Sequence, residues 1–100
     1  MAELCLTLLC PPPLAEQVLD TLLTMPEILF FASSQASAHG LDHSVLNATE
    51  QVLGMAKMTR IDALLVHAVR DHVMAQLSSE LSGLRLKYWI APVVEAGELL

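Results

Sequence analysis

Basic residues are scarce in this sequence, whose 100 residues contain five Lys and Arg against eleven Asp and Glu, for a formal net charge of −6. The five cations are also spread thinly along the chain, at Lys57, Arg60, Arg70, Arg85 and Lys87. Nucleic-acid binding requires several phosphates to be neutralised from one face of a protein. The small number and wide spacing of the cations therefore argue against a nucleic-acid partner.

Long apolar runs are also missing, although 54% of the residues are hydrophobic and only 16% are charged. No segment approaches the ~20 continuous apolar residues that span a bilayer. The N-terminal MAELCLTLLC is short, carries the acidic Glu3 and runs into three prolines, so it does not resemble a signal peptide. We expect one cytoplasmic domain whose surplus apolar surface contacts copies of itself.

Cysteine is limited to Cys5 and Cys10. Residues five apart in an extended strand point to opposite faces, so these two thiols cannot readily bridge each other or share a metal ion. The prediction is two buried free thiols.

Hydrophobic periodicity divides the chain into six elements. Apolar residues alternate or run continuously in four β-like segments, ELCLTLL (3–9), EILFFASSQASAH (27–39), MAKMTRIDALLVHAV (55–69) and LRLKYWIAPVV (84–94). They recur every three or four residues in two helical segments, between the prolines at 11–13 and Pro26 and over 70–83. The order β-α-β-β-α-β predicts an α+β, ferredoxin-like fold with a four-stranded antiparallel sheet and both helices on one face.

The predicted strands are apolar on both faces, although Arg60 and Asp62 place part of one face near solvent. Because two helices cover only one side of a sheet, the other side is expected to be buried by another subunit. The prediction is a closed homo-oligomer, a dimer or a trimer.

The segment from Ser34 to Glu50 is rich in small and polar residues, with Leu41, Val45 and Leu46 as its few large apolar side chains. Connections of this length inside a compact domain are usually functional. We predict a flexible loop over about 34–50, with at most one helical turn, between the second and third strands.

Two motifs carry a family resemblance: EQVLG from Glu50 to Gly54, and YWIAPVVEAGEL from Tyr88 to Leu99. With the order of elements, they resemble the PII-like superfamily of trimeric nitrogen regulatory PII and CutA proteins. They look closest to the small proteobacterial domain-of-unknown-function family 3240, found beside heavy-metal efflux genes. The resemblance implies a trimeric PII-like protein linked to heavy-metal homeostasis or efflux.

The chain departs from the PII pattern where nucleotides bind. PII proteins that bind ATP or ADP have a glycine-rich loop before the last strand and an arginine-rich C-terminal segment. Here the loop is SSELSGLRLK, with the single Gly83, and the last residues are VEAGELL. An adenine nucleotide is therefore a less favoured ligand than a metal ion, although Arg85 and Lys87 keep it open.

The stretch HGLDH (39–43) indicates a candidate metal site. His39 and His43 could both reach a divalent ion if the stretch were helical, with Asp42 or Glu50 supplying oxygen, but Gly40 disfavours the helix. A loop could still gather these ligands, and a cyclic trimer could collect one set from each subunit. The alternatives are solvated histidines in a mobile loop, or histidines that sense acidity.

The remaining histidines and the aromatic residues of the last strand are expected to have structural roles. His67 and His72 are expected to satisfy backbone groups where the third strand meets the second helix, and Tyr88 and Trp89 to point to opposite faces of the last strand. No nucleophile with an adjacent base and no paired carboxylates can be assembled.

These observations predict a non-enzymatic sensor or regulatory protein. Its loop over 34–50 would bind a partner, such as an efflux-system protein, in response to a ligand. Two alternatives stay open: a CutA-like protein that binds divalent metals, and a dimeric ferredoxin-like enzyme of the monooxygenase type.

Overall fold

The computed structural model describes residues 2–100, apart from the side chain of His43. Its strands are Leu4–Cys10 (β1), Phe30–His39 (β2), Met55–Leu65 (β3) and Lys87–Pro92 (β4). Its α-helices are Ala15–Leu23 (α1), Ala48–Leu53 (α2) and Arg70–Glu80 (α3). Short 3-10 turns lie at Pro12–Leu14, His43–Val45 and His67–Val69.

The four strands form one antiparallel sheet in the order β2-β3-β1-β4. α1 and α3 both contribute to the hydrophobic core on one side of this sheet. The core contains Leu6, Leu8, Cys10, Val18, Leu22, Met25, Ile61, Leu65, Val73, Leu77 and Leu81. The predicted α+β, ferredoxin-like fold is confirmed, with α2 as a short addition between β2 and β3. No helix in residues 2–100 is long and apolar enough to cross a bilayer.

Alternation along β1 decides which side chains enter the core. Leu6, Leu8 and Cys10 are buried beneath the helices, whereas Cys5 and Thr7 lie on the opposite face. The two cysteines are free and on different faces, as predicted, but Cys5 is only half-buried. Burial raises the pKa of the Cys10 thiol, so this residue behaves as a small apolar side chain.

The sequence predicted a strand over 27–39 that runs from the core into solvent, but it also assigned the outer part of that segment to the flexible loop. Residues 34–39, assigned to the flexible loop, continue the strand and pair with β3 from Ser34 opposite Arg60 to His39 opposite Met55. Small Ala and Ser residues give no local sign of a strand, but β3 is long enough to pair with all of them. The connection therefore begins at Gly40.

The connection between β2 and β3 is structured. Gly40 turns the chain with a φ of 76°, and a capping box at Asn47 starts α2. In this box the Glu50 N–H donates to Asn47 Oδ1 at 2.9 Å, and the Asn47 N–H donates to Glu50 Oε1 at 3.0 Å. Gly54, at a φ of 69°, ends the helix in the left-handed conformation that favours glycine. We call residues 40–54 the connecting segment.

The sheet face away from α1 and α3, which we call the open face, is less apolar than predicted. The register aligns Asp62 with Thr7 across β3 and β1, and Thr7 with Trp89 across β1 and β4. Thr7 Oγ1 donates to Asp62 Oδ1 at 2.6 Å, and Arg60 Nε donates to Asp62 Oδ2 at 3.1 Å. The Arg60 guanidinium also lies 5.7 Å from the centre of the Trp89 ring. A polar network therefore crosses the middle of a face whose flanks are apolar.

Asp62 is expected to stabilise the fold through this network. The Thr7 side chain is only 2% exposed, so the substitution Asp62→Ala leaves a buried hydroxyl without its acceptor. An orphaned buried hydroxyl costs about 1–3 kcal/mol of the free energy of unfolding. Chemical denaturation at pH 7 measures this loss. Asp20→Ala, on the exposed side of α1, is the matched control and should change stability by less than ~0.5 kcal/mol.

The difference between Asp62→Ala and the parent protein should depend on pH. Burial raises the pKa of Asp62, but hydrogen bonds from Thr7 and Arg60 and the charge of Arg60 outweigh it and hold the pKa below its usual value. A lowered folded-state pKa contributes stability that is fully present above the unfolded pKa of about 3.9. The contribution disappears as the pH falls through the folded pKa. A difference that stayed constant below pH 4 would show that the Asp62 charge does not stabilise the fold.

Candidate functional site

A cavity of about 610 Å³ lies at one end of the sheet, between the connecting segment and the turn that precedes β4. Leu9, Ala56 and Met58 contribute from β1 and β3, and the prolines at 11–13 close one side. The connecting segment adds Leu41, Asp42, Val45, Asn47 and Glu50, and the turn before β4 adds Leu84 and Arg85. The volume is within the range of small-molecule sites. We call this cavity the end pocket.

Three of the five basic residues of the chain, Lys57, Arg85 and Lys87, line the end pocket. None of them forms an ion pair with any residue that the structure describes. They outnumber the two carboxylates in the lining, in a protein with a net charge of −6. The pocket therefore concentrates positive charge next to apolar walls, which suits an anionic ligand with an apolar part.

Arg85 has an unusual backbone conformation. Its φ is 54°, in the left-handed region that residues with a Cβ seldom adopt. The residue belongs to the turn between α3 and β4, where Gly83 also has a positive φ of 85°. A left-handed residue other than glycine costs of order 1–2 kcal/mol, and such residues cluster at ligand sites.

Two of the four predicted metal ligands, Asp42 and Glu50, lie in the end pocket. The Ser44 backbone N–H donates to Asp42 Oδ1 at 3.0 Å, and this hydrogen bond lowers the pKa of Asp42. Glu50 accepts from the Asn47 backbone through Oε1 in the capping box. Both carboxylates therefore already organise the connecting segment, although each can still accept further bonds.

The two predicted histidine ligands are placed differently. His39 is exposed at the end of β2 and does not line the end pocket. His43 begins a 3-10 turn, and its side chain lies outside what the structure describes. Because Gly40 separates a strand from that turn, the two histidines do not share a helix face. Among the described side chains, no group of three His, Cys, Asp or Glu could hold a metal ion.

The remaining aromatic and histidine predictions have mixed outcomes. Tyr88 and Trp89 do occupy opposite faces, with Tyr88 beside Leu8, Met74 and Leu77 on the helix side. The expectation that the His72 ring satisfies a backbone group is wrong, since its Nε2 lies 3.3 Å from Glu27 Oε2. Glu27 precedes β2 and is far from His72 in sequence, so no local pattern indicated the pair.

Sequence reasoning identified Arg85 and Lys87 but missed Lys57 as their partner. Lys57 is near the start of β3, and the register between β1 and β3 ends at Cys10 opposite Thr59. The antiparallel register of β1 with β4 places Lys87 opposite Leu9, at the same end of the sheet. Only the correct register of β1 with β3 and β4 would have indicated that these three cations lie at the same end of the sheet.

Three solved structures have the same fold as this chain. A DUF3240 family protein from Shewanella baltica OS155 is similar over 100% of this chain and 99% of its own, at a TM-score of 0.80 and 16% identity. CPII of Thiomonas intermedia K12, a nitrogen regulatory PII-like protein bound to ADP, AMP and bicarbonate, matches 100% of this chain and 98% of its own, at a TM-score of 0.71 and 12% identity. The periplasmic divalent cation tolerance protein CutA of Archaeoglobus fulgidus matches 98% and 89%, at a TM-score of 0.70 and 10% identity.

At these identities the structural likenesses establish the fold alone, and they confirm the PII-like and CutA-like architecture that the sequence motifs indicated. Among curated proteins, none matches the chain significantly. The model of the family described as proteins of unknown function, DUF3240, matches residues 1–100. With the full length matched and the fold shared, the chain belongs to the DUF3240 family.

Proposed function

We propose that this protein is a non-enzymatic, PII-like regulatory protein that binds a small anionic ligand in the end pocket. Occupancy of the pocket sets the conformation of the connecting segment, and through it the affinity for a partner protein. The observation that carries the proposal is the convergence of Lys57, Arg85 and Lys87 on one cavity lined by that segment. The ligand then acts through its different affinity for two states of the segment.

The pocket favours an anion of modest charge over a triphosphate. Three cations face two carboxylates, and the single Gly83 does not provide the glycine-rich cradle of backbone N–H groups that surrounds several phosphates. The structurally similar CPII binds ADP, AMP and bicarbonate. By analogy, a nucleoside monophosphate or bicarbonate suits the end pocket better than ATP does.

The connecting segment is placed so that ligand binding in the end pocket can change the surface that a partner protein contacts. Leu41, Asp42 and Val45 line the cavity, while Val52 and Leu53 on α2 are largely exposed. One short segment therefore links the ligand site to apolar side chains that solvent reaches. These two side chains, with the outer part of β2, form the proposed partner surface within residues 34–54.

We also propose a homo-oligomer, with a trimer favoured by the resemblance to the PII-like superfamily. Phe30, Leu64 and Cys5 align along one flank of the open face, and Leu9 lies on the same face beside the end pocket. If a sister subunit covers this face, the end pocket becomes part of a subunit cleft. A setting in heavy-metal homeostasis or efflux rests on the sequence resemblance alone, and the cytoplasmic location stays a prediction from the sequence.

A thermal-melt panel tests the ligand. AMP, ADP, ATP, bicarbonate and inorganic phosphate are added separately at constant ionic strength, with chloride as the reference. A ligand at 100 times its Kd stabilises the folded state by about 2.7 kcal/mol, which raises the melting temperature by roughly ten degrees or more for a chain of this size. We expect AMP or bicarbonate to give the largest shift. A panel in which no anion exceeds the chloride reference contradicts an anion site.

A second candidate function is divalent-metal binding, as in the CutA-like alternative. Asp42 and Glu50 line the same pocket, and His39 and His43 lie at the start of the connecting segment. Zn²⁺, Cu²⁺ and Co²⁺ in the same panel distinguish the two functions, because only the metal function gives shifts that disappear when His39 and His43 are replaced by alanine. The dimeric enzyme alternative is tested by the mass of the oligomer, since it requires two subunits rather than three.

A further inference from the structure

The end pocket contains charges of both signs that do not pair with each other. Its carboxylates, Asp42 and Glu50, belong to the connecting segment, and its cations are Lys57, Arg85 and Lys87. None of these five side chains forms an ion pair with a residue that the structure describes. Opposite charges that line one cavity without contact leave space between them for a ligand that carries both charges.

The carboxylates are held on the wall that the connecting segment forms. Asp42 Oδ1 accepts the Ser44 backbone N–H at 3.0 Å, and Glu50 Oε1 accepts the Asn47 backbone N–H at 3.0 Å. These hydrogen bonds tie both side chains to their own segment, and an ionised carboxylate can accept further donors. The hydrogen bond from Ser44 also lowers the pKa of Asp42, so this carboxylate is charged at neutral pH.

The cations of the pocket lie on other elements. Lys57 is in β3, Lys87 begins β4, and Arg85 is in the turn before β4. A simple anion bound to these three side chains contacts the sheet and the turn, whereas the carboxylates of the connecting segment repel it. Such an anion therefore makes no favourable charged contact with the segment whose conformation it sets.

Apolar side chains form much of the remaining wall. Leu9 and Met58 contribute from the sheet, Leu41 and Val45 from the connecting segment, and Leu84 from the turn before β4. Binding that removes apolar surface from water is favourable. The walls therefore favour a ligand whose charged groups are joined by a hydrocarbon frame.

We infer that the end pocket selects a small zwitterion of the amino-acid class, with an ammonium group and a carboxylate on an apolar frame, over an anion of the same shape. This inference rests on the proposed function, because the carboxylate of the ligand binds the same cations. The ammonium group donates to Asp42 and Glu50 and so joins the connecting segment to the sheet. That contact gives the ligand different affinities for the two states of the segment, as a ligand-driven change requires.

Two matched sets of compounds test this selectivity. One set is leucine, isocaproate and isoamylamine, and the other is ε-aminocaproate, hexanoate and pentylamine, whose zwitterion has its charges further apart. Isothermal titration calorimetry at constant ionic strength measures each Kd. Hydrogen bonds between charged groups are strong, so the zwitterion of at least one set should bind about tenfold or more tightly than its carboxylate and its amine. If neither zwitterion binds more tightly than both matched compounds, the inference is wrong.

The double variant Asp42→Asn with Glu50→Gln tests where the ammonium group binds. It removes both negative charges but keeps the side-chain oxygens that accept backbone N–H groups, and glutamine also suits a capping box. We expect the advantage of the zwitterion to disappear, while the carboxylate binds equally well or more tightly. Asp20→Asn with Glu16→Gln, two exposed positions of α1 outside the pocket, is the control with the same change in net charge. An advantage that survives equally in both double variants contradicts the inference.

Two outcomes separate this inference from the proposed function. If AMP, bicarbonate or the matched carboxylates bind but neither zwitterion binds more tightly than its carboxylate, the anion site holds and the zwitterion selectivity fails. Hydrogen exchange of the backbone amides in residues 40–54 tests the regulatory role, because a bound zwitterion should slow it. If a zwitterion binds with the expected selectivity but leaves this exchange unchanged, the ligand class holds and the regulatory function of the connecting segment fails.

Discussion

Replacing Lys57 and Arg85 together by glutamine should abolish the anion response of this protein. Both residues line the end pocket, and neither has an ion-pair partner among the described residues. A hydrogen bond to a charged group contributes about 1.5–3 kcal/mol, so losing two weakens anion binding by roughly a hundredfold or more. Isothermal titration calorimetry with AMP or bicarbonate, whichever gives the larger thermal shift, measures the Kd.

The control must match the change in overall charge. Loss of two positive charges takes the formal net charge from −6 to −8, which alone weakens anion binding slightly. Arg70→Gln with Gln17→Glu reaches the same net charge, since one positive charge is lost and one negative charge gained. Neither position lines the end pocket. If both double variants lost affinity equally, the pocket cations would have no specific role.

Arg85 allows a finer test within the pair. Its left-handed backbone costs stability without a local benefit, so Arg85→Gly should be tolerated or slightly stabilising while anion affinity falls. Unchanged or higher stability together with lower anion affinity is typical of a residue whose strained backbone contributes to ligand binding. This result would show that the double variant loses anion affinity through the pocket, because a general loss of folding would lower stability and affinity together.

Leu64→Glu should dissociate the proposed oligomer. Leu64 lies on the open face, opposite Cys5 in β1 and Phe30 in β2. A sister subunit that covers this face would bury an unpaired carboxylate, at a cost of several kcal/mol. Each 1.4 kcal/mol is a factor of ten in an association constant, so association should weaken about a hundredfold or more. Sedimentation equilibrium follows the change from the oligomer toward the 10.9 kDa chain.

Leu23→Glu is the matched control for this variant. Leu23 is exposed at the end of α1, on the helix side of the sheet, and the substitution changes the net charge by the same amount. It should leave the mass of the oligomer unchanged. Circular dichroism at low concentration checks that Leu64→Glu remains folded. A folded Leu64→Glu protein with an unchanged oligomeric mass contradicts the open face as the subunit interface.

The order and type of most elements could be predicted because their signals are local. Prolines bound α1, alternation defines β1 and β4, and Gly83 follows α3 in the left-handed conformation that its position suggested. Residues 34–39 were assigned both to the second strand and to the flexible loop, because their Ser, Ala and Gln side chains adopt a strand only through pairing with β3. Local preference is weak there, and the partner strand decides.

The candidate site was less predictable than the fold. Asp42 and Glu50 were singled out as possible metal ligands, and the metal site remains a prediction, whereas their observed hydrogen bonds organise the connecting segment. The interaction between Thr7 and Asp62 on the open face could not be predicted from the sequence either. Each looked like an ordinary strand residue in sequence, and only their pairing in adjacent strands makes a buried hydroxyl and a charged network.

The amino-acid sequence by itself determined the α+β class, the order of the main elements, the family motifs and the opposite orientation of the two cysteines. These features depend on neighbours within a few residues, where periodicity and chain stereochemistry act directly. Only the tertiary structure decided that Lys57 lines the same pocket as Arg85 and Lys87, and that the open face carries the Arg60–Asp62–Thr7 network. Strand register brings such distant residues together, and register depends on the packing of the whole sheet.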